Sequence, residues 1–299
     1  MIDFTCPECR TVLIGEAAKL RCDSCRREYL IRDGIPDFRK RDDYWCNVSR
    51  EKMRLLNKRA EESGDWLAAA KEIVPQYMEH FVGFNRADAQ FIWPVDKGAR
   101  ILDAGSMWGG LTIPAAQYAK EVVAIDKTVE TLSFLGIRAR QMGIRNIQPV
   151  ASTLDKLPLP DNYFDLVVLN GVLEWVAFGE DLILEKHWNG RMKDVRRYTK
   201  GPTQMQIDVL KEIQRVTRPG GYIFLAIENR SGYQYLTGHP DDHVNLPFVT
   251  FLPRFAADMI TRLLRGHSYR TYVYSQKGCA NILSKSGYNQ TKFYAAFPH

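Results

Sequence analysis

No stretch of the 299-residue chain is apolar for long enough to cross a membrane: the longest run, Asp165 to Phe178, is broken by Asn170 and Glu174. Internal repeats and low-complexity tracts are missing too, which excludes solenoids and fibrous chains. Cysteine is scarce, six in all, and four fall within the first 25 residues, so most of the chain is no disulfide scaffold. No apolar leader precedes those four; the chain starts Met1-Ile2-Asp3-Phe4, and the expectation is a reducing, cytoplasmic setting. A concentrated excess of positive charge is also lacking. The formal net charge is +6, but residues 1–60 hold 14 Lys and Arg against 10 Asp and Glu, and residues 61–299 hold 27 against 25. Overall charge therefore gives a nucleic-acid partner little support.

The four early cysteines are spaced as two short pairs, Cys6-x2-Cys9 and Cys22-x2-Cys25. Two thiolate pairs at this spacing suit tetrahedral zinc; two disulfides are the alternative, disfavoured by the missing leader. Four protein ligands leave no open position for water, so such a zinc is structural. Cys46 and Cys279 stand apart and read as ordinary free thiols.

The most informative stretch runs from Ile101 to Gly110, Ile-Leu-Asp-Ala-Gly-Ser-Met-Trp-Gly-Gly, and is followed by Val122-Val123-Ala124-Ile125-Asp126. An apolar run stops at a glycine-bearing turn, a helical stretch follows, and a second apolar run ends in an acid. That is a β-turn-α-β unit suited to an adenosyl group, because glycines let the backbone approach a ligand and Asp126 can accept both ribose hydroxyls. Asp126 as a simple strand-end cap is the plain alternative. A dinucleotide fingerprint needs glycine where Asp103 stands; a carboxylate there repels a pyrophosphate but suits an α-amino group.

At Asp103-x-Gly105-x-x-x-Gly109 the chain resembles class I S-adenosylmethionine-dependent methyltransferases. Members often carry a further glycine at the loop centre, where this chain has Met107. The likeness continues through a helix at Val129 to Met142, a strand at Ile147 to Val150, the turn Leu157 to Asp165 into a fourth strand, a helix from Gln204 to Val216 stopped by Arg218-Pro219-Gly220-Gly221, and a strand at Tyr222 to Ile227. It implies an α/β fold with a Rossmann-like, doubly wound, mostly parallel sheet. It also implies S-adenosylmethionine as cofactor, held by Asp103, Gly105, Ser106, Gly109, Asp126, Thr153 and Asn170. Thr153, beside Ser152, occupies the position where many members place an adenine-binding Asp and is expected to line the adenine pocket without making that bond; Asp155, two residues on, is a candidate to supply it. The text Arg27 to Phe38 resembles the small zinc-ribbon proteins that partner RNA and translation-factor methyltransferases, which implies a partner protein through the ribbon.

Three segments are therefore expected: a zinc ribbon at 1–40, a helical linker or cofactor lid at 41–95, and a methyltransferase domain at 96–299 with insertions at about 185–203 and 229–275. Within the second, Val48 to Ser63 and Trp66 to Phe84 read as helices, and Tyr77, Phe81 and Arg86 are candidates to close over the cofactor, core packing being the alternative. Farther on, Ala256 to Arg265 reads as an amphipathic helix, Gly278 to Ser286 as another helix, and Lys292 to Phe297 as a sixth strand.

Candidate acceptor-side residues lie after the last two core strands. Glu174 follows strand four, where it is either a base or a helix cap. His239, Asp241, Asp242 and His243 form the densest titratable cluster; a His paired with a carboxylate can take a proton from a hydroxyl, and a metal site and a plain polar turn are the rival readings. The basic, aromatic stretch Lys186 to Lys200 reads either as phosphate contacts with stacking by Trp188 and Tyr198 or as a plain solvated excursion. The leading expectation is methyl transfer to a small-molecule or glycan-like hydroxyl. RNA base methylation is the alternative, and a non-catalytic, partner-binding scaffold the second.

Overall fold

The computed structural model describes residues 2–42, 44–82, 84–178 and 200–295, the side chains of 84–86 excepted. The basic stretch through residue 199, Arg86 as a lid residue and Phe297 thus lie outside what is described. The chain forms two compact units: Met1–Leu169 with Arg215–Leu225, and Asn170–Gln214 with Ala226–His299.

The first unit is built on strands β1 (Ile14–Gly15), β2 (Lys19–Arg21), β3 (Glu28–Arg32), β4 (Ile35–Asp37), β5 (Arg100–Ala104), β6 (Glu121–Asp126), β7 (Ile147–Ala151), β8 (Phe164–Asn170) and β9 (Thr217–Ala226). They form one sheet in the order β1-β2-β3-β4-β7-β6-β5-β8-β9. Within it β7, β6, β5 and β8 are parallel neighbours, with Asp103 opposite Ala124 on one side and Val168 on the other. Their sequences dictate this burial: Ile101, Leu102, the run Val122 to Ile125, and Leu166 to Leu169 are at most 1% exposed, as strands covered on both faces must be. The chain moves outward from β5 to β7 and then returns to the far side of β5 with β8. That reversal makes the C-terminal end of β5 a topological switch point, where such sheets place ligands.

β1 to β4 form an antiparallel meander around the cysteines. It is joined to the parallel sheet: β4 pairs with β7 at Asp37↔Ala151, and the next amide, Phe38, donates to the Ala151 carbonyl at 2.8 Å. Side chains reinforce the junction. Arg39, bonded to the Asp37 carboxylate, donates to the Lys127 carbonyl at 2.8 Å, and Arg10 donates to the Leu157 carbonyl at 2.9 Å.

Helices α1 (Arg50–Ser63), α2 (Trp66–Ile73) and α3 (Met78–Val82) precede the parallel sheet, and α4 (Thr112–Ala116) and α5 (Val129–Gln141) connect its strands. Ser49 and Asp65 cap α1 and α2 by accepting amide hydrogens, and α1 ends at Gly64 in the left-handed region. The helix expected from Trp66 to Phe84 is interrupted: Pro75 lacks the amide that would continue it, and Pro75–Tyr77 forms a tight 3-10 turn instead. Met53, Leu56, Ala60, Ala70 and Phe81 bury their side chains with Trp108, Phe134 and Ile137.

The second unit carries most of α6 (Pro202–Val216), with α7 (Tyr233–Leu236), α8 (Arg254–Arg265) and α9 (Gln276–Lys285). Its apolar centre contains Val244, Leu246, Val249, Ala257 and Tyr269. Two further expectations differ from the outcome. β9 starts at Thr217 rather than Tyr222, so Pro219-Gly220-Gly221 lies inside the strand; the outermost position in the sheet tolerates a missing amide, and a Cβ on Gly221 would meet the Phe164 carbonyl at 3.0 Å. The sixth strand does not form across 292–295, which lie outside any helix or strand. No helix among the described residues is long and apolar enough to cross a membrane.

Candidate functional site

The four N-terminal cysteines sit on two matching turns. Cys6 and Cys22 each accept, through their carbonyls, the amide of the residue four positions on, Arg10 and Arg26, at 2.8 Å. Arg10 and Arg26 adopt left-handed φ values of 64° and 59°, and this sharp reversal turns the two pairs toward each other, with Cys6 and Cys22 buried and Cys9 and Cys25 exposed. Cys6 and Cys25 bring their Sγ atoms to 3.6 Å, Cys9 and Cys22 to 3.4 Å, and all four lie within 4.8 Å of one another. A tetrahedral ion with sulfur ligands at about 2.3 Å spaces those sulfurs about 3.8 Å apart, so the set fits zinc.

The glycine turn follows β5. Gly105 and Ser106 donate their amides to the Ile125 carbonyl at 2.8 and 2.9 Å, fastening the loop to the end of β6. Gly105 and Gly109 have φ of 94° and 82°, which an L side chain rarely adopts. A Cβ at Gly109 would also lie 2.3 Å from Leu135 Cδ1. Met107, at the loop centre, is left-handed as well, with φ of 49°: the backbone keeps the conformation a glycine would take there, at a cost of about 1 kcal/mol or more. Trp108 offsets that cost. It is 2% exposed among Tyr77, His80 and Phe81, and its carbonyl accepts from the buried Arg138 guanidinium, which also donates to the Phe81 carbonyl at 3.0 Å. Phe81 is thus core, while Tyr77 packs on Trp108 and is half-buried.

Two acids face this turn. Asp103 is buried and accepts the Thr112 hydroxyl at 2.5 Å; burial, reinforced by the charge of Asp126, pushes its carboxyl up to about 6. Asp126 accepts the amides of Met107 at 2.9 Å and Thr128 at 2.8 Å, and burial raises its pKa against those bonds. Each oxygen keeps a further lone pair for a ligand. Ser106 Oγ is buried without a hydrogen-bond partner, a polar atom left for a bound group to satisfy. Thr153 lies just past β7, whose last residue Ala151 pairs with Asp126, and its carbonyl accepts the Ser152 hydroxyl at 3.0 Å. Asp103, Gly105, Ser106, Gly109, Asp126 and Thr153 therefore converge at the strand ends of the first unit. Asn170 is the last residue of β8 and belongs to the second unit.

In the second unit a different cluster assembles. The Asp241 carboxylate accepts the amides of His243 and Val244 at 3.0 and 2.9 Å, and its other oxygen lies 3.3 Å from His243 Nδ1. This turn aims Nε2 at two carboxylates, 3.8 Å from Glu228 Oε2 and 4.0 Å from Glu174 Oε1. Trp175 lies against the imidazole with ring centres 4.6 Å apart. Burial opposes charge on His243, but the hydrogen bond to Asp241 and the negative charges of its acidic neighbours prevail and lift it to about 10. Burial, and then Glu174, push Glu228 up to about 7. His239 is exposed, its Nε2 3.9 Å from Asp242. The structure thus joins Glu174, Asp241 and His243, and adds Glu228, which carries no local sequence signal beyond following a strand.

Residues 95–234 match a family model described as a methyltransferase domain. A 68-residue stretch is 29% identical to an uncharacterized methyltransferase, YcgJ of Bacillus subtilis (strain 168); it covers 23% of this chain and 27% of that protein, so the chain spans about a quarter of that relative's length. The crystal structure of Bacillus subtilis YcgJ aligns at 16% identity over 70% of this chain and 68% of that one, with a TM-score of 0.41. The crystal structure of an S-adenosylmethionine-dependent methyltransferase from Aquifex aeolicus aligns at 16% identity over 74% and 87%, with a TM-score of 0.43.

Proposed function

We propose that this chain, which carries a methyltransferase domain, transfers a methyl group from S-adenosylmethionine to a hydroxyl of a small-molecule or glycan-like acceptor. The observation that carries the reading is the turn from Gly105 to Gly109, with the orphaned Ser106 hydroxyl and the Asp126 carboxylate beside it.

Bound there, S-adenosylmethionine supplies a methyl group already activated by sulfonium charge. Asp126 is assigned to the ribose hydroxyls, Asp103 to the amino-acid end through its negative charge, Ser106 and the loop amides to polar contacts, and Thr153 to the adenine side. Asn170 completes the proposed set. The chain's remaining task is alignment of the acceptor and loss of its proton. Glu174, with its unengaged oxygens, is the group suited to take that proton, and the His243–Asp241 pair the one suited to hold positive charge beside the developing oxyanion. His239, exposed beside Asp242, has no assigned step. Cys6, Cys9, Cys22 and Cys25 are proposed to hold a structural zinc.

Support for the acceptor class comes from the buried acidic and imidazole groups of the second unit, which suit a hydroxyl better than a polyanion. Calorimetry with S-adenosylmethionine should show binding to the native chain and at least tenfold weaker binding to Asp126→Ala. Label from the methyl donor should then appear in small-molecule or glycan fractions. Label in RNA alone would overturn the acceptor class, and absence of cofactor binding would overturn the reading as a whole.

A further inference from the structure

The Glu174–Glu228–His243 cluster has more negative charge than its partners balance. Glu174 is 1% exposed at its side chain, yet neither carboxylate oxygen has a hydrogen-bond partner, and Glu228 Oε2 is buried without one. A buried carboxylate in that condition costs several kcal/mol unless a cation meets it. The imidazole of His243 does not serve both acids. Its Nε2 carries at most one proton and lies 3.8 and 4.0 Å from them, beyond hydrogen-bond length.

Those spacings suit atoms that share an ion. Oxygen and nitrogen ligands bind divalent metals at about 2.0–2.2 Å, so two ligands on one ion stand at most about 4.4 Å apart, and the 3.8 and 4.0 Å separations fall within that span. The three ligating atoms lie within 4.8 Å of one another. The far side of the imidazole is already prepared: Asp241 engages Nδ1 at 3.3 Å and is itself fixed by two backbone amides, the carboxylate–histidine arrangement that orients a metal ligand. Gly171, in the left-handed region, brings the chain back so that Glu174 follows β8 within one turn.

We propose that Glu174, Glu228 and His243 bind one divalent cation of the oxygen- and nitrogen-preferring kind, with Asp241 orienting His243. Binding stands on this geometry alone; only the use of the ion to acidify an acceptor hydroxyl rests on the function proposed above. The absence of sulfur separates this site from the cysteine cluster, so Mn2+ should enter it without displacing zinc from thiolates, which prefer the later metals.

The experiment adds Mn2+ to the chain as purified and reads bound ion by electron paramagnetic resonance, with zinc content measured in parallel. One equivalent of Mn2+ is expected to bind. Glu228→Gln and His243→Ala should each weaken binding at least tenfold while zinc content and S-adenosylmethionine affinity stay unchanged; unchanged cofactor affinity shows that the variants are folded. No saturable Mn2+ binding to the native chain, or equal binding by both variants, overturns the site. Saturable Mn2+ binding without methyl transfer supports the site and counts against the proposed function alone.

Discussion

Replacing Asp103 with Asn should stabilise the cofactor-free protein near neutral pH while weakening cofactor binding. Asp103 is buried, and its folded pKa of about 6 stands above the ordinary 3.8. Because the folded value is raised, the folded state holds its proton more firmly than the unfolded state does. The associated stability is fully present at low pH and is lost as pH climbs from about 4 to about 6. A displacement of about 2 units corresponds to about 3 kcal/mol once both states are ionised. Asn has the same shape, does not ionise and still accepts the Thr112 hydroxyl, although that bond weakens by about 1 kcal/mol when the charge is removed. The variant should therefore exceed the native chain in stability by about 2 kcal/mol at about pH 7.5. Urea unfolding followed by tryptophan fluorescence, run at about pH 4.5 and about pH 7.5, should show the difference between variant and native chain change by about 2 kcal/mol. Parallel pH profiles, or a variant less stable than the native chain at the higher pH, would refute the argument. Calorimetry on the same variant should show S-adenosylmethionine affinity reduced at least tenfold.

Gly109→Ala should destabilise by about 2–4 kcal/mol, because its Cβ meets Leu135 at 2.3 Å and its φ of 82° is strained for alanine; a melting temperature within a degree of the native value would show that the turn relaxes freely. Metal analysis should find one zinc per chain, and Cys22→Ser should lose it and leave residues 1–40 open to proteolysis. Retained zinc, or unchanged protease resistance, would remove the ion's structural role.

What could be read from the sequence was local. The apolar run, the turn and the terminal acid at Asp126 lie within 26 residues, and both pattern and chemistry survive in β5, β6 and the bonds Asp126 makes to Met107 and Thr128. Ser49 and Gly64 likewise announce the ends of α1. The interruption at Pro75 carried a signal, since proline inside a helical pattern breaks it. The β4–β7 pairing had none: Asp37 and Ala151 are remote in sequence, and parallel pairing leaves no turn between partners. Glu228 was hidden for the same reason, because its meaning depends on Glu174 and His243 meeting it in the folded second unit.

The pairing of β4 with β7 also bears on solubility. A strand such as β7, with Val150 and Ala151 buried at its end, would be an open template for another chain if nothing occupied its free side. The cysteine meander fills that side and tapers the sheet to the two-residue β1. Loosening of the meander would uncover a sticky edge, so self-association, rather than simple unfolding, is the failure this pairing guards against.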